Sequence, residues 1–204
     1  MAWLPALAVV ALIVGLTRAL PQLVRLLRAK DAAGVSVDGC ATSATVSSFW
    51  AVYGLLTGQP AVVFASATPA FIFVLIILAA VRYGRSVREL RSAPLFFVAF
   101  AAVVLAGGAG GLGLALTAGA LVANTPHVLV AYREKDLSGI SPFTWKLTAA
   151  DGAIWLTYAL ITGDVPILVN NFFQLTTSLL IVARQWWWAR STSIPAPAYE
   201  ATSP

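Results

Sequence analysis

One stretch of this chain occurs twice, and that duplication restricts its possible folds more than any other feature. From Pro21 the sequence runs PQLVRLLRAKDAAGVSV, and from Pro126 it runs PHVLVAYREKDLSGISP. The copies lie 105 residues apart and align without a gap. Pro21, Arg28, Lys30, Asp31, Gly34 and Ser36 coincide with Pro126, Arg133, Lys135, Asp136, Gly139 and Ser141. The same spacing carries Trp50 onto Trp155, Tyr53 onto Tyr158 and Gly58 onto Gly163. A fixed offset held over so many residue types marks an internal structural repeat.

The repeated unit belongs in a membrane. The chain is 59% hydrophobic and 10% charged, whereas soluble domains carry about 25% charged residues. A bilayer core asks for roughly 20 apolar residues per helix. Spans are expected over 3–27, 39–57, 61–81, 94–106, 112–132, 143–161 and 165–183. Pro21 and Pro126 remove a backbone donor inside the first and fifth of these and predict kinks, and Pro69 interrupts the third. Residues 94–132 are apolar for 39 positions, roughly 58 Å as a helix. That is too long for one span, and Gly107-Gly108-Ala109-Gly110-Gly111 is the expected turn between two.

The expected fold is therefore an all-α membrane protein: seven transmembrane helices as two three-helix repeats joined by a linker helix. The units are residues 3–83, a basic loop and linker helix at 84–111, the second repeat at 112–188, and a disordered tail at 189–204. An odd linker gives both three-helix units the same orientation, so the repeats are parallel about an axis along the membrane normal. Arg28, Lys30, Arg82, Arg85, Arg88, Arg91, Arg133, Lys135, Arg184 and Arg190 fall on one side of this layout. The other side, with Gly58-Gln59, the Gly-rich break and Gly163-Asp164, carries no Lys or Arg. The positive-inside rule then places the N-terminus outside and the C-terminus in the cytoplasm. Trp186-Trp187-Trp188 is expected at the headgroup level.

Several function classes drop out. The net charge of +5 comes from residues at helix ends, where they set topology, so no nucleic-acid partner is implied. Cys40 is alone, which leaves no disulfide framework and no metal-ligand spacing. No HExxH, GxSxG or phosphate-loop motif is present, so neither an enzyme nor a cofactor is expected. The N-terminus lacks a basic n-region and a cleavage site and is not read as a signal peptide.

Leu20-Pro21-Gln22 with its charged turn, followed by Trp50-x-x-Tyr53-Gly54, resembles the PQ-loop family, in particular its SWEET and SemiSWEET sugar transporters. The second copy supplies Trp155-x-x-Tyr158, Asp164-Val165-Pro166-Ile167 and Asn171, similar to SemiSWEET second and third helices. The resemblance covers about residues 10–185. It implies a central pocket containing Trp50, Trp155 and Asn171, with Pro21 and Pro126 as hinges for alternating access. The residue chemistry agrees. An indole offers a flat face to the C–H side of a sugar, and an Asn both donates and accepts. Asn170 and Asn171 in mid-helix need internal partners or a polar cavity. Two positions depart from the family pattern. Ser66 stands where the second repeat has Asn171, and His127 stands where the first has Gln22.

Arg18 and Asp151 fall roughly 15 Å and 12 Å inside their helices, at depths that allow an ion pair between repeats. Intramembrane charges are functional candidates by default. That pair is read as structural or, with His127, as a proton-coupling group; the lysosomal cystine exporter is a proton-coupled PQ-loop relative. The expected function is facilitative transport of a mono- or disaccharide across the plasma membrane, the solute contacting Trp50, Ser66, Trp155, Asn170 and Asn171. One chain holds both halves, so a monomer suffices, and a homo-oligomer stays open. The alternatives are a proton-coupled carrier of amino acids or similar solutes, and a membrane receptor resembling the KDEL receptor.

Overall fold

The computed structural model describes residues 4–134, 137 and 142–192. The helices are α1 (Leu4–Ala29), α2 (Val37–Leu56), α3 (Pro60–Arg82), α4 (Ala93–Arg133), α5 (Pro142–Thr162) and α6 (Val165–Thr192). A 3-10 turn at Val87–Glu89 lies between α3 and α4. No strand occurs among the described residues. The second basic loop, with Lys135, Asp136, Gly139 and Ser141, lies outside them, as do residues 193–204.

The duplicated sequence makes duplicated local structure. Gly58 (φ 66°) and Gly163 (φ 71°) take the left-handed conformation that ends a helix without a Cβ penalty. Just before each, Thr57 and Thr162 donate their hydroxyls to the carbonyls of Tyr53 and Tyr158. The backbone N–H groups of Gln59 and Asp164 then bond back to Gly54 and Ala159. Pro60 opens α3 at a position whose N–H would go unsatisfied anyway. At the opposite end of α2, Ser36 Oγ accepts from the N–H of Gly39 at 3.0 Å and caps the helix.

Two expected boundaries differ. The five-residue Gly-rich turn is reduced to a single residue: α4 runs 41 residues, and only Gly108 leaves helical geometry (φ 56°, ψ −146°). One residue without a Cβ is enough to redirect the chain, so the expected fourth and fifth spans are the two arms of one bent element. α6 continues through Trp186, Trp187 and Trp188 to Thr192, into the stretch expected to be tail. Among the described residues, four helices are long and apolar enough to cross a membrane: α1 from Val9, α3, α4, and α6 to Ser191. This is a multi-pass architecture. α2 and α5 do not qualify because Asp38, Thr42, Ser43, Thr45, Ser47 and Ser48 dilute one, and Thr144, Lys146, Thr148 and Asp151 the other.

Helix neighbours follow the repeat. α1 packs on α3 and α5, α2 on α3 and α4, and α6 on α4 and α5. Exchanging α1, α2 and α3 with α4, α5 and α6 turns this set into itself, as an approximate two-fold rotation requires. In the first half, Leu23, Leu26, Val37, Cys40, Ile72 and Ile76 form one buried cluster. A second cluster joins the halves through Phe49, Tyr53, Val62, Leu112, Leu116, Tyr158 and Ile167.

The first arm of α4 is pinned to α2. Asp38 caps its start, accepting from the N–H groups of Arg91, Ser92 and Ala93 at 2.8, 2.9 and 3.2 Å and from the Ser92 hydroxyl. A carboxylate there satisfies donors that the first turn leaves over and faces the positive end of the helix dipole. Phe49 packs on Phe97 and Phe100, with ring centroids 5.6 and 5.2 Å apart.

The second arm approaches so closely that one position must be glycine. A Cβ at Gly113 would sit 2.7 Å from Pro166 Cγ and 2.9 Å from Tyr53 Cε2, whereas one at Gly107 would meet nothing within 4 Å. Gly113→Ala is expected to cost roughly 1–3 kcal/mol from overpacking. Gly107→Ala is expected to be neutral or stabilising by up to about 1 kcal/mol. Thermal unfolding of the two variants in detergent checks the contrast, and equal midpoints would refute the close approach.

Candidate functional site

The halves meet at equivalent positions. Gln59 and Asp164, related by the 105-residue offset, precede α3 and α6, and Gln59 Nε2 donates to Asp164 Oδ2 at 2.6 Å. Residues exchanged by a two-fold can touch only near its axis, so the axis passes between these side chains. Tyr53 Oη donates to the same carboxylate oxygen at 2.7 Å. The other oxygen, Oδ1, accepts from the N–H of Ile167 at 2.9 Å, which caps α6 and fixes the carboxylate. One Asp thus ties α2, the α2–α3 turn and the start of α6 into a closure.

A cavity of about 130 Å³ lies between the repeats, lined from both sides. Trp50, Val62, Ala65 and Ser66 come from the first half, and Asp151, Trp155, Ile167, Asn170, Asn171 and Gln174 from the second. The two indoles are held alike. Trp50 stands edge-on to Tyr53 at 5.6 Å and 82°, and Trp155 to Tyr158 at 5.4 Å and 72°. Each tyrosine is buried, at 4% and 5% exposure, so it acts as a fixed wall for its tryptophan. The cavity and the closure are adjacent because Trp50 and Tyr53 are one helical turn apart, as are Ile167 and Asp164.

The polar lining is anchored. Asn171 is 5% exposed and donates Nδ2 to the Ile167 carbonyl at 2.8 Å. Gln174 donates Nε2 to Asp151 Oδ2 at 3.0 Å and lies 3.5 Å from the Thr148 carbonyl. These contacts give buried polar groups the internal partners that an apolar surrounding demands.

All five residues expected to face a solute, Trp50, Ser66, Trp155, Asn170 and Asn171, therefore line one cavity, and Asp151 joins them. His127 is absent from its lining; it is exposed and packs edge-on to Trp145 at 5.4 Å. The side chain of Arg18 lies outside the described residues, and so does its expected pairing with Asp151. Pro21 and Pro126 sit inside α1 and α4, both exposed.

Sequence reasoning missed Gln174 and the Tyr53–Gln59–Asp164 closure. Both had a signal. Gln174 lies one helical turn past Asn171 and so on its face. The offset that pairs Trp50 with Trp155 also pairs Gln59 with Asp164.

No family model matches the chain, and no curated protein matches it. Among solved structures, its fold is similar to that of a eukaryotic SWEET transporter, with a TM-score of 0.76. The match covers 92% of this chain and 97% of that one at 17% sequence identity. At that identity the likeness speaks for the fold: an all-helical, multi-pass membrane architecture.

Asp164→Ala deprives Tyr53 and Gln59 of their acceptor. It is expected to cost about 1–3 kcal/mol of stability and to loosen this end of the cavity. In a Cys40→Ala background, a cysteine placed at Ser66 is then expected to react several-fold faster with a membrane-impermeant thiol reagent added on the Gln59 side of oriented vesicles. An unchanged rate would show that the closure does not restrict access.

Proposed function

We propose that this chain is a facilitative transmembrane transporter for a small sugar, working by alternating access between two parallel three-helix repeats. The observation that carries this reading is the convergence of repeat-equivalent residues, Trp50 with Trp155 and Ser66 with Asn171, on one cavity between the halves. Two indole faces and a set of fixed amides suit a ligand with apolar faces and a hydroxylated edge. The solved SWEET transporter of similar fold supports the same reading.

In this scheme α1–α3 and the second arm of α4 with α5 and α6 are the two repeats, and the first arm of α4 is the linker, giving three helices, one, and three. α2 and α5, of 20 and 21 residues, are long enough to span. The basic ends mark the cytoplasmic face of a plasma membrane. The Tyr53–Gln59–Asp164 cluster closes the outer end, and Pro21 and Pro126 act as hinges for opening it in exchange for the inner end. The cycle breaks no covalent bond and needs no cofactor.

Asp151 on the cavity wall favours one competing reading, a proton-coupled carrier of amino acids or similar solutes. That reading requires flux to follow a pH gradient and to be uncoupled by Asp151→Asn.

Radiolabelled sugar uptake into proteoliposomes tests the proposal. Asn171→Ala is expected to lower uptake about tenfold, the equivalent of about 1.4 kcal/mol and of one or two lost hydrogen bonds. Equal flux in variant and parent would remove Asn171 from the site, and absence of flux for every sugar would remove the function.

A further inference from the structure

A second cavity, of about 240 Å³, lies between α6 and the second arm of α4. Leu121, Asn124, Thr125, Val128 and Leu129 line it from α4, and Phe173 and Thr177 from α6. It shares no lining residue with the cavity between the repeats. Asn124 and Thr125 precede Pro126 and Val128 and Leu129 follow it, so the hollow straddles that proline. The equivalent ground in the first repeat is packed. By the 105-residue offset, Leu16, Leu23 and Ile72 stand where the second repeat has Leu121, Val128 and Thr177. Leu23 and Ile72 are buried in the apolar cluster of the first half, with Leu16 packed against it. Ala19 and Leu20 correspond to the polar Asn124 and Thr125.

Thr177 is the group left without a partner. Thr117, Thr125, Thr148, Thr157 and Thr162 each turn the hydroxyl back onto the carbonyl four residues earlier. Asn124 likewise donates to the Ala120 carbonyl at 2.8 Å. Thr177 is 8% exposed and makes no hydrogen bond among the described residues. A buried hydroxyl without a partner costs free energy in an apolar surrounding, and the space beside this one is the cavity.

Opening and depth restrict what can fill that space. Leu114, Ala118, Val122, Thr125, Leu129 and Tyr132 recur every three or four residues and are all exposed, so they form one stripe of the helix. Leu114 is 72% exposed although the next residue back, Gly113, is wedged against Pro166 and Tyr53. The stripe therefore runs along the outside of the bundle, on a helix apolar enough to cross a membrane. Thr125 and Leu129 belong both to the stripe and to the cavity, which thus opens sideways toward lipid. Thr177 lies 12 residues past Val165 (177 − 165), roughly 18 Å along α6. That is deep in a hydrocarbon core of roughly 30 Å, beyond the reach of phospholipid headgroups. The residues lining the cavity carry no charge.

We propose that this crevice binds a neutral, hydroxyl-bearing apolar molecule dissolved in the bilayer. The hydroxyl of the occupant pairs with Thr177, and its hydrocarbon lies against Leu121, Val128, Leu129 and Phe173. The site goes beyond the transport reading and does not depend on it.

Photolabelling of the protein in phosphatidylcholine nanodiscs with a diazirine-bearing octanol tests this, with adducts located by mass spectrometry. Adducts at 121–129 and 173–177 are expected at least fivefold above those on the exposed α3 residues Phe64, Phe71 and Leu78, which serve as the lipid-facing reference. Unlabelled octanol is expected to lower the crevice adducts at least threefold, and octane at the same bilayer concentration to leave them nearly unchanged. Thr177→Val keeps the shape, removes the hydroxyl and is expected to abolish the preference for octanol over octane. Thr177→Ile installs the residue of the first repeat and is expected to lower crevice labelling several-fold while the α3 reference stays constant. The valine variant covers a failure of the isoleucine to fold, and the competition in the parent needs neither. Labelling no denser in the crevice than on α3 would overturn the site and leave the hollow to water. Equal competition by octane and octanol in the parent, or an undiminished octanol preference in folded Thr177→Val, would overturn the role of the hydroxyl and with it the proposal.

Discussion

Gln59 and Asp164 are the same position in the two copies of the repeat, and they are bonded to each other at 2.6 Å. That contact fixes how the halves can be arranged. It puts the pseudo-two-fold axis between two N-terminal helix caps, and the other equivalent pairs must then fall on opposite sides of that axis. Trp50 and Trp155 line the cavity from opposite halves, as do Ser66 and Asn171. The contact also sits where helix dipoles favour a negative group. Asp164 spends one oxygen on its own helix and the other on the opposite half. The closure combines hydrogen bonds to one carboxylate oxygen with the apolar cluster that Tyr53, Tyr158 and Ile167 share across the halves.

Symmetry of backbone with asymmetry of lining is the second theme. The turns at Thr57–Gln59 and Thr162–Asp164 make the same hydrogen bonds, and the Trp–Tyr pairs share one geometry. Where the chain meets the cavity, the copies have diverged: Val46 against Asp151, Ser66 against Asn171, Pro69 against Gln174. Duplication supplies the frame, and the frame tolerates this divergence because cavity-lining side chains do not have to satisfy close packing between helices. Gly113, wedged between Pro166 and Tyr53, has no such freedom.

Much of the fold was legible because apolar length and proline and glycine placement are local signals. The helix edges around Arg28, Gly58 and Gly163 fall within a few residues of expectation. The bend in α4 was legible as a place and not as a form, since a run of four glycines in five residues does not say which one leaves the helix. Trp50 and Trp155 were readable because the repeat pairs them, and Asn171 through the family resemblance, its repeat counterpart being Ser66. Gln174 carried no repeat signal, its counterpart being Pro69. The closure was hidden for a different reason: a Gln in one copy and an Asp in the other do not look like a pair until the chain is folded about its axis.

The first arm of α4 is bound to α2. Asp38 caps it and Phe49 grips Phe97 and Phe100, and both gripping residues belong to α2. Phe100 of that arm, and Leu112 and Leu116 beyond Gly108, all join the one cluster shared by both halves. Gly108, the residue of α4 with non-helical backbone, lies between a first arm held by Asp38 and Phe49 and a second arm whose Gly113 and Thr117 meet Pro166 of α6. If the halves rock against each other, the strain falls on Gly108, where added backbone rotation meets no Cβ and no neighbour within 4 Å.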